Sequence, residues 1–193
     1  MIKVFTGPMY AAKSLGLIQA ATVRKKKDKD NVVCFKPSKD TRDKSQIRSR
    51  AIEATLDAYV IQDLSQIKEY ITDDTDTIII DEVQFMSGDV QELLWLTIYN
   101  KIDIYIAGLD MTSEMTPFNI MPDILAIATD VVKLKARCQD CSNEAEYTYC
   151  LVEKNEDVLV GSSEYIPLCR ECLRERLLGE KHERGRTFQR NNK

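Results

Sequence analysis

Two short stretches of this sequence carry residues in the order that phosphate chemistry requires. The first, Gly7-Pro8-Met9-Tyr10-Ala11-Ala12-Lys13-Ser14, follows the apolar run Ile2-Lys-Val-Phe5 and precedes a helical stripe at Leu15, Leu17, Ile18 and Ala21. A strand, a turn ending in Lys-Ser and a helix make a phosphate-binding loop, in which backbone N–H groups aim at phosphate oxygens and the helix N-terminus adds positive potential. Lys13 is then the point charge on the β- and γ-phosphates, and Ser14 the hydroxyl that ligates Mg²⁺. Ala12 stands where the pattern has its second glycine, and its Cβ opposes positive φ. An ordinary strand–turn–helix corner is therefore the competing reading. The second stretch, Ile78-Ile79-Ile80-Asp81-Glu82, ends a β-branched run in two carboxylates. In open α/β sheets ligands bind off the carboxyl ends of strands. That gives Asp81 the role of holding hydrated Mg²⁺ and leaves Glu82 to accept a proton from an attacking hydroxyl or water. A pair of solvated strand-end acids is the plain alternative. Together the two stretches point to a Mg²⁺-dependent nucleoside triphosphate enzyme, but a hydrolase, a switch protein and a small-molecule kinase share this equipment.

A third constellation is built from sulfur. Cys138-Gln-Asp-Cys141 and Cys169-Arg-Glu-Cys172 are two C-x-x-C knuckles with residues 142–168 between them, while Cys34 and Cys150 stand alone. Paired knuckles of reduced thiols form a tetrahedral four-thiolate zinc site. Two disulfides or a redox pair are the other possibilities. The gap is longer than a zinc ribbon needs, so an extra segment is looped between the knuckles. Cys34 and Cys150 read as packing residues.

The elements that must position these groups alternate strand with helix. Ile2–Phe5, Val32–Phe35, Asp76–Ile80, Ile102–Ala107 and Val131–Leu134 read as strands. The run 76–80 has the continuous β-branched character of a parallel strand buried on both faces. Helices are expected after Ser14, from about Gly88 to Asn100, and over Ile124–Ala128. This is an α/β chain with a parallel, right-handed sheet. Residues 39–57 are polar and patternless and read as a long loop of functional importance. Arg24-Lys-Lys-Lys27 suits a solvated helix end, where cations complement the dipole. Past Cys138 the character changes. Glu144–Leu151 alternates polar and apolar, Val158-Leu-Val160 is short and apolar, and both belong to a zinc-stapled β-ribbon. The expected division is a phosphate-loop domain over 1–136, a zinc-binding unit over 137–178, and a charged, disordered tail over 179–193.

Composition bounds the rest. The 193 residues are 44% hydrophobic and 30% charged, with net charge −4. That excludes collagen-like, coiled-coil and wholly disordered chains. No apolar stretch reaches the ~20 residues of a membrane span, and the N-terminus lacks a signal-peptide pattern. The expectation is a soluble, cytoplasmic protein without membrane attachment. Nucleic acid is not expected as a partner, since the net charge is negative and Arg170, Arg174 and Arg176 alternate with Glu171 and Glu175.

Four stretches in order, Gly7–Ser14, Lys39-Asp-Thr-Arg42, Asp81-Glu-Val-Gln-Phe85 and the two knuckles, resemble the type II thymidine kinases. This zinc-containing family occurs in animal cytosol, bacteria, phages and poxviruses. Gly108-Leu-Asp110, Pro117-Phe118, Ala145-Glu-Tyr-Thr148 and Val160-Gly161 followed by Tyr165 are further matching fragments, so the likeness runs from about Ile2 to Cys172. The resemblance implies transfer of the γ-phosphoryl of ATP to the 5′-hydroxyl of thymidine or deoxyuridine, as part of DNA-precursor salvage. It implies a homotetramer and feedback inhibition by deoxythymidine triphosphate. Carried onto this sequence, it makes Glu82 the general base. It puts nucleotide or Mg²⁺ contacts at Gly7–Ser14, at Asp40, Thr41 and Arg42, and at Asp81, Glu82, Val83 and Gln84. Met9, Phe85, Leu109 and Phe118 would line the thymine slot, with Thr148 beside the 5-methyl group. A lasso between the knuckles would read the base edge through the backbone of Asp157, Val158, Leu159, Val160 and Gly161, with Tyr165 on the sugar side. Taken singly, Phe85, Met9 and Leu109 read first as core residues, and Tyr165 equally as an ordinary ribbon residue. The sequence departs from the family at Ala12, at Met111 and Ser113, and by about one residue near Ser162-Ser163.

Overall fold

The computed structural model describes residues 1–25, 31–40, 45–49, 53–152 and 163–179. Thr41 and Arg42, the base-reading segment Asp157, Val158, Leu159, Val160 and Gly161, and the tail beyond 179 lie outside the described residues, as do Lys26 and Lys27 of the basic run.

From the N-terminus the chain forms β1 (Ile2–Thr6), α1 (Lys13–Lys25), β2 (Asn31–Pro37), β3 (Gln46–Ser49), β4 (Ala54–Asp57) and β5 (Tyr59–Ile61). It continues through β6 (Thr75–Ile80), α2 (Gln91–Tyr99), β7 (Asp103–Gly108), α3 (Met121–Ile127) and β8 (Asp130–Lys133). Tight 3-10 turns occupy Leu64–Glu69 and Val83–Phe85. The six-stranded sheet has the order β5-β2-β6-β7-β1-β8, and every neighbouring pair is parallel. All strand ends that carry the candidate groups therefore point the same way.

β6 shows why the sheet forms here. Ile78 and Ile80 enter a core with Val4, Phe35, Ile104 and Ile106 on one face. Ile79 packs on the other face among Leu17, Ile18 and Ala21 of α1. The β-branched residues 78–80 are thus buried on both faces of the sheet, as a central parallel strand requires. Among the described residues no helix is long and apolar enough to cross a membrane.

The stretch read as a patternless loop, 39–57, contains the β3–β4 hairpin. Its strands are four residues each and antiparallel, and Ile47 lies opposite Leu56. Those two side chains join the core on the α1 face, while Gln46, Arg48, Thr55 and Asp57 face outward. With one buried hydrophobe per strand, a period of two has nothing to repeat, so alternation is invisible in the sequence.

The C-terminal unit comprises β9 (Ala136–Arg137), β10 (Glu144–Ala145), β11 (Tyr147–Cys150), β12 (Tyr165–Leu168) and a helical segment over 170–179. The alternating run 144–151 divides at Glu146: β10 pairs back on β9, whereas β11 pairs with β12. β12 contains Pro167, which cannot donate to a ladder. Here Pro167 serves as an acceptor instead, its carbonyl taking the Gln139 N–H at 2.9 Å. A small core of Ala136, Cys138, Ala145, Leu168, Cys169 and Leu173 holds the unit together, and Ala11 of the phosphate loop belongs to it.

Candidate functional site

The loop after β1 is shaped by close backbone approach. Gly7 has φ +132°, and a Cβ there would lie 2.1 Å from the Leu134 carbonyl oxygen, so only glycine fits. Tyr10 and Ala12 take φ +66° and +59°. Ala12 thus adopts the left-handed conformation its side chain opposes, at a cost of roughly 1–2 kcal/mol. Its carbonyl accepts the N–H of Leu15 at 3.1 Å and of Gly16 at 3.4 Å, which starts α1. Lys13, nearly buried, folds back so that its Nζ donates to the carbonyls of Gly7 (3.1 Å) and Pro8 (2.7 Å). The Met9 N–H donates to the Thr148 hydroxyl at 2.9 Å. Ala11 is buried against the cysteine unit.

β6 delivers the acids. The Asp81 N–H still bonds to the Phe35 carbonyl of β2 at 3.0 Å, so the carboxylate leaves from a fixed strand end. It accepts the Ser14 hydroxyl at 2.9 Å and the Glu82 N–H at 3.0 Å. Burial, and after it repulsion from Glu82, pushes Asp81 up to about 7, against the Ser14 and Glu82 hydrogen bonds and the Lys13 charge. A buried carboxylate under that stress is what a nearby cation relieves. At Glu82 the chain turns left-handed, with φ +49°, and its Oε2 accepts Gln84 Nε2 at 2.6 Å. Val83 and Gln84 are buried, Val83 within the main core. The Gln84 Oε1 accepts the Leu109 N–H at 3.1 Å.

The apolar candidates collect beside these acids. The Phe85 and Phe118 rings meet edge to face at 5.5 Å, and the Lys39 ammonium lies 5.9 Å from the Phe85 ring centre. Phe118 is carried by a loop after β7 that turns back on itself through Phe118 N–H to Asp110 carbonyl (3.0 Å) and Thr112 N–H to Thr116 carbonyl (2.9 Å). Asn119 then pins that loop, its side-chain amide donating to the carbonyls of Gln84 (3.1 Å) and Met86 (2.8 Å). Asp40 is buried and paired with Lys36 at 3.2 Å, and the Lys36 Nζ also donates to the Gln46 carbonyl at 3.2 Å. Tyr165 lies on β12 opposite Cys150, in the cysteine unit.

The four cysteines converge. Cys138 closes the β9–β10 turn, where Ser142 N–H bonds to its carbonyl at 3.0 Å. Cys169 follows β12, and the Cys172 N–H reaches the Cys169 sulfur at 3.5 Å. The Sγ atoms of Cys138, Cys141, Cys169 and Cys172 all lie within 4.8 Å of one another, and those of Cys141 and Cys169 are 3.6 Å apart. Tetrahedral zinc with bonds of about 2.3 Å spaces its sulfurs by about 3.8 Å, so the cluster is consistent with a structural zinc site. Burial opposes ionisation at Cys138, but the N–H groups of Cys169, Cys141 and Asp140 outweigh it and bring the thiol down to about 6. Arg176 clamps the first knuckle through two 2.8 Å bonds to Asp140.

Two residues at the site escaped sequence reasoning. Asn119 had no signal beyond its place after Phe118. Lys36 had a weak one, a lysine directly after an apolar strand run and four residues before Asp40.

The thymidine kinase family model matches residues 1–173. A thymidine kinase of Pseudothermotoga lettingae is 30% identical over 173 residues, covering 89% of this chain and 93% of the relative. A thymidine kinase of Mycoplasma mobile is 35% identical over 174 residues, covering 89% of this chain and 86% of that protein. A phosphate loop hydrogen-bonded to a strand-end acid, aromatic rings beside it and a four-cysteine cluster fit that match, and the chain belongs to the thymidine kinase family of ATP-dependent phosphotransferases.

Proposed function

We propose that this chain is a thymidine kinase that moves the γ-phosphoryl of ATP to the 5′-hydroxyl of thymidine or deoxyuridine, releasing ADP and the nucleoside monophosphate. Besides family membership, the observation that carries this reading is the 2.9 Å bond from Ser14 to Asp81, with Glu82 next in the chain. Two hard oxygen donors about 2.9 Å apart match a cis edge of an octahedron with metal–oxygen bonds of about 2.0–2.1 Å, so the pair fits Mg²⁺. Ser14 and Asp81 would hold the ion, which supplies neutralising charge on the β- and γ-phosphate oxygens.

The chain's own residues do the rest. Lys13 exchanges its two loop carbonyls for phosphate oxygens, and the N-terminus of α1 faces the anion. Glu82 takes the 5′-hydroxyl proton as that oxygen bonds to the γ-phosphorus and the bond to the ADP oxygen breaks. Phe85 and Phe118, with Met9 and Leu109, offer flat apolar surface to the pyrimidine. Thr148, Tyr165 and the backbone of 157–161 bind the nucleoside from the cysteine unit. Asp40, Thr41 and Arg42 serve the phosphate and Mg²⁺ side. Cys138, Cys141, Cys169 and Cys172 would hold a structural zinc, which would supply rigidity at both ends of the intervening segment, and that segment would exclude water so that transfer outruns hydrolysis. The reading extends to a phosphate-loop domain over 1–136 and a zinc unit over 137–178, a cytoplasmic homotetramer, and feedback by deoxythymidine triphosphate.

The test supplies ATP labelled on the γ-phosphate with Mg²⁺ and a panel of nucleosides. Label should appear on the 5′-oxygen of thymidine and deoxyuridine, and thymidine should stimulate ATP turnover. ATP consumption indifferent to every nucleoside would instead identify an ATPase or nucleotide switch.

A further inference from the structure

We infer that Gln84 is a positioning residue for phosphoryl transfer: its side-chain amide holds the Glu82 carboxylate toward the nucleoside hydroxyl and at its other end fixes the Leu109 backbone at the base slot. The inference rests on the reading of Glu82 as the proton acceptor.

Gln84 is 1% exposed and makes a bond in each direction. Nε2 donates to Glu82 Oε2 at 2.6 Å, and Oε1 accepts the Leu109 N–H at 3.1 Å. This polarity cannot reverse. A flipped amide would set its NH₂ against the Leu109 N–H and its oxygen against a carboxylate, two repulsive contacts in a dry setting. The backbone of Gln84 is equally fixed. It occupies the 3-10 turn Val83–Phe85, with Val83 in the core before it. Its carbonyl accepts the Asn119 amide, which also holds the Met86 carbonyl. Gly108 leaves the required space, because a Cβ there would lie 2.8 Å from the Gln84 Oε1 and 3.0 Å from Val83.

Glu82 needs such a tether. It sits in a left-handed turn off the end of β6, beyond the last residue of the strand ladder. A general base acts only within hydrogen-bond reach of the proton it takes, and a displacement of about 1 Å can cost on the order of 10²-fold in rate. Because Gln84 bridges Glu82 to Leu109, it also sets the distance between the proton acceptor and a wall of the base slot. The amide therefore couples where the base lies to where the hydroxyl is met.

A double-mutant cycle on the full-length, metal-loaded enzyme tests this. Glu82→Gln alone should lower kcat by roughly 10²–10⁴-fold. Gln84→Met alone should lower kcat by roughly 10–10²-fold, with ATP affinity, measured by calorimetry, held within about twofold. In the Glu82→Gln background, Gln84→Met should lower kcat by no more than about twofold, since there is no longer a base to aim. Gln84→Asn, which keeps the amide but withdraws it by one methylene, completes the same cycle where Gln84→Met does not fold. An equal loss of kcat in both backgrounds would show a structural role and overturn the inference while leaving Glu82 as the base. Unchanged kcat in Glu82→Gln itself would remove the reading beneath it, and the inference with it.

Discussion

At the carboxyl end of the central sheet, side chains are positioned by strands buried on both faces: Asp81 leaves β6 with its N–H still bonded to β2, and three consecutive isoleucines behind it are inaccessible to solvent. The cysteine unit has strands of two to four residues and a core that includes two of its own thiols. So small a core supplies little folding energy by burial alone, and the four-cysteine cluster beside it is consistent with a structural zinc that would add to it. The two regions meet at the phosphate loop. Gly7 presses on the Leu134 carbonyl, the Met9 N–H bonds to Thr148, and Ala11 is packed inside the cysteine unit. The loop between β1 and α1 is therefore shaped from both sides, by the sheet at its ends and by the cysteine unit at its crest.

The largest expected effect comes from removing the metal. Cys138→Ser should abolish bound zinc, read by elemental analysis, and unfold the cysteine unit, since structural zinc contributes about 10 kcal/mol or more in small domains. Thymidine binding should be lost and ATP affinity should fall with it, because Ala11 and Met9 lose their support. Unchanged ATP affinity would mean that the sheet alone shapes the loop. Next is the sheet side of the seam. Gly7→Ala meets both a forbidden φ and the Leu134 carbonyl, at an expected cost of about 3 kcal/mol or more, measured as lost stability and lost ATP binding with zinc content retained.

Thr148→Val isolates the single hydrogen bond across the seam. It keeps the shape but leaves the Met9 N–H without its acceptor, an expected loss of about 1–3 kcal/mol. Thr148→Ser should restore most of it, and a valine variant with wild-type melting temperature and ATP affinity would dissolve the coupling. The smallest effect is a gain. Ala12→Gly removes the left-handed strain and should stabilise the fold by about 1 kcal/mol, raising the melting temperature by about 2–4 °C.

The parts of the site legible in the sequence were those with a local signature. Lys13 and Ser14 are marked by the strand–turn–helix boundary, Asp81 and Glu82 by the end of a β-branched run, and the cysteines by their paired spacing. The β3–β4 hairpin was not legible, since Ile47 and Leu56 are single hydrophobes that become a pair only when the strands align. Lys36 and Asp40 form a buried ion pair that depends on β2 ending beside the hairpin. Gln84 lay within a quoted motif, but the reach of its side chain to both Glu82 and Leu109 was not legible there. That bridge links residues 25 positions apart, and no periodicity encodes it.

By itself the sequence determined which chemistry was available: a cation, a hydroxyl and two acids at strand ends, and four thiols in pairs. Residue type and short-range spacing suffice for this because they fix which groups each turn can present. Tertiary structure alone decided which groups meet, that Ser14 touches Asp81, that Thr148 caps the phosphate loop and that Gln84 spans two loops. Those contacts depend on strand order and on close approach between distant segments, and hydrogen bonds are made only within about 3.5 Å.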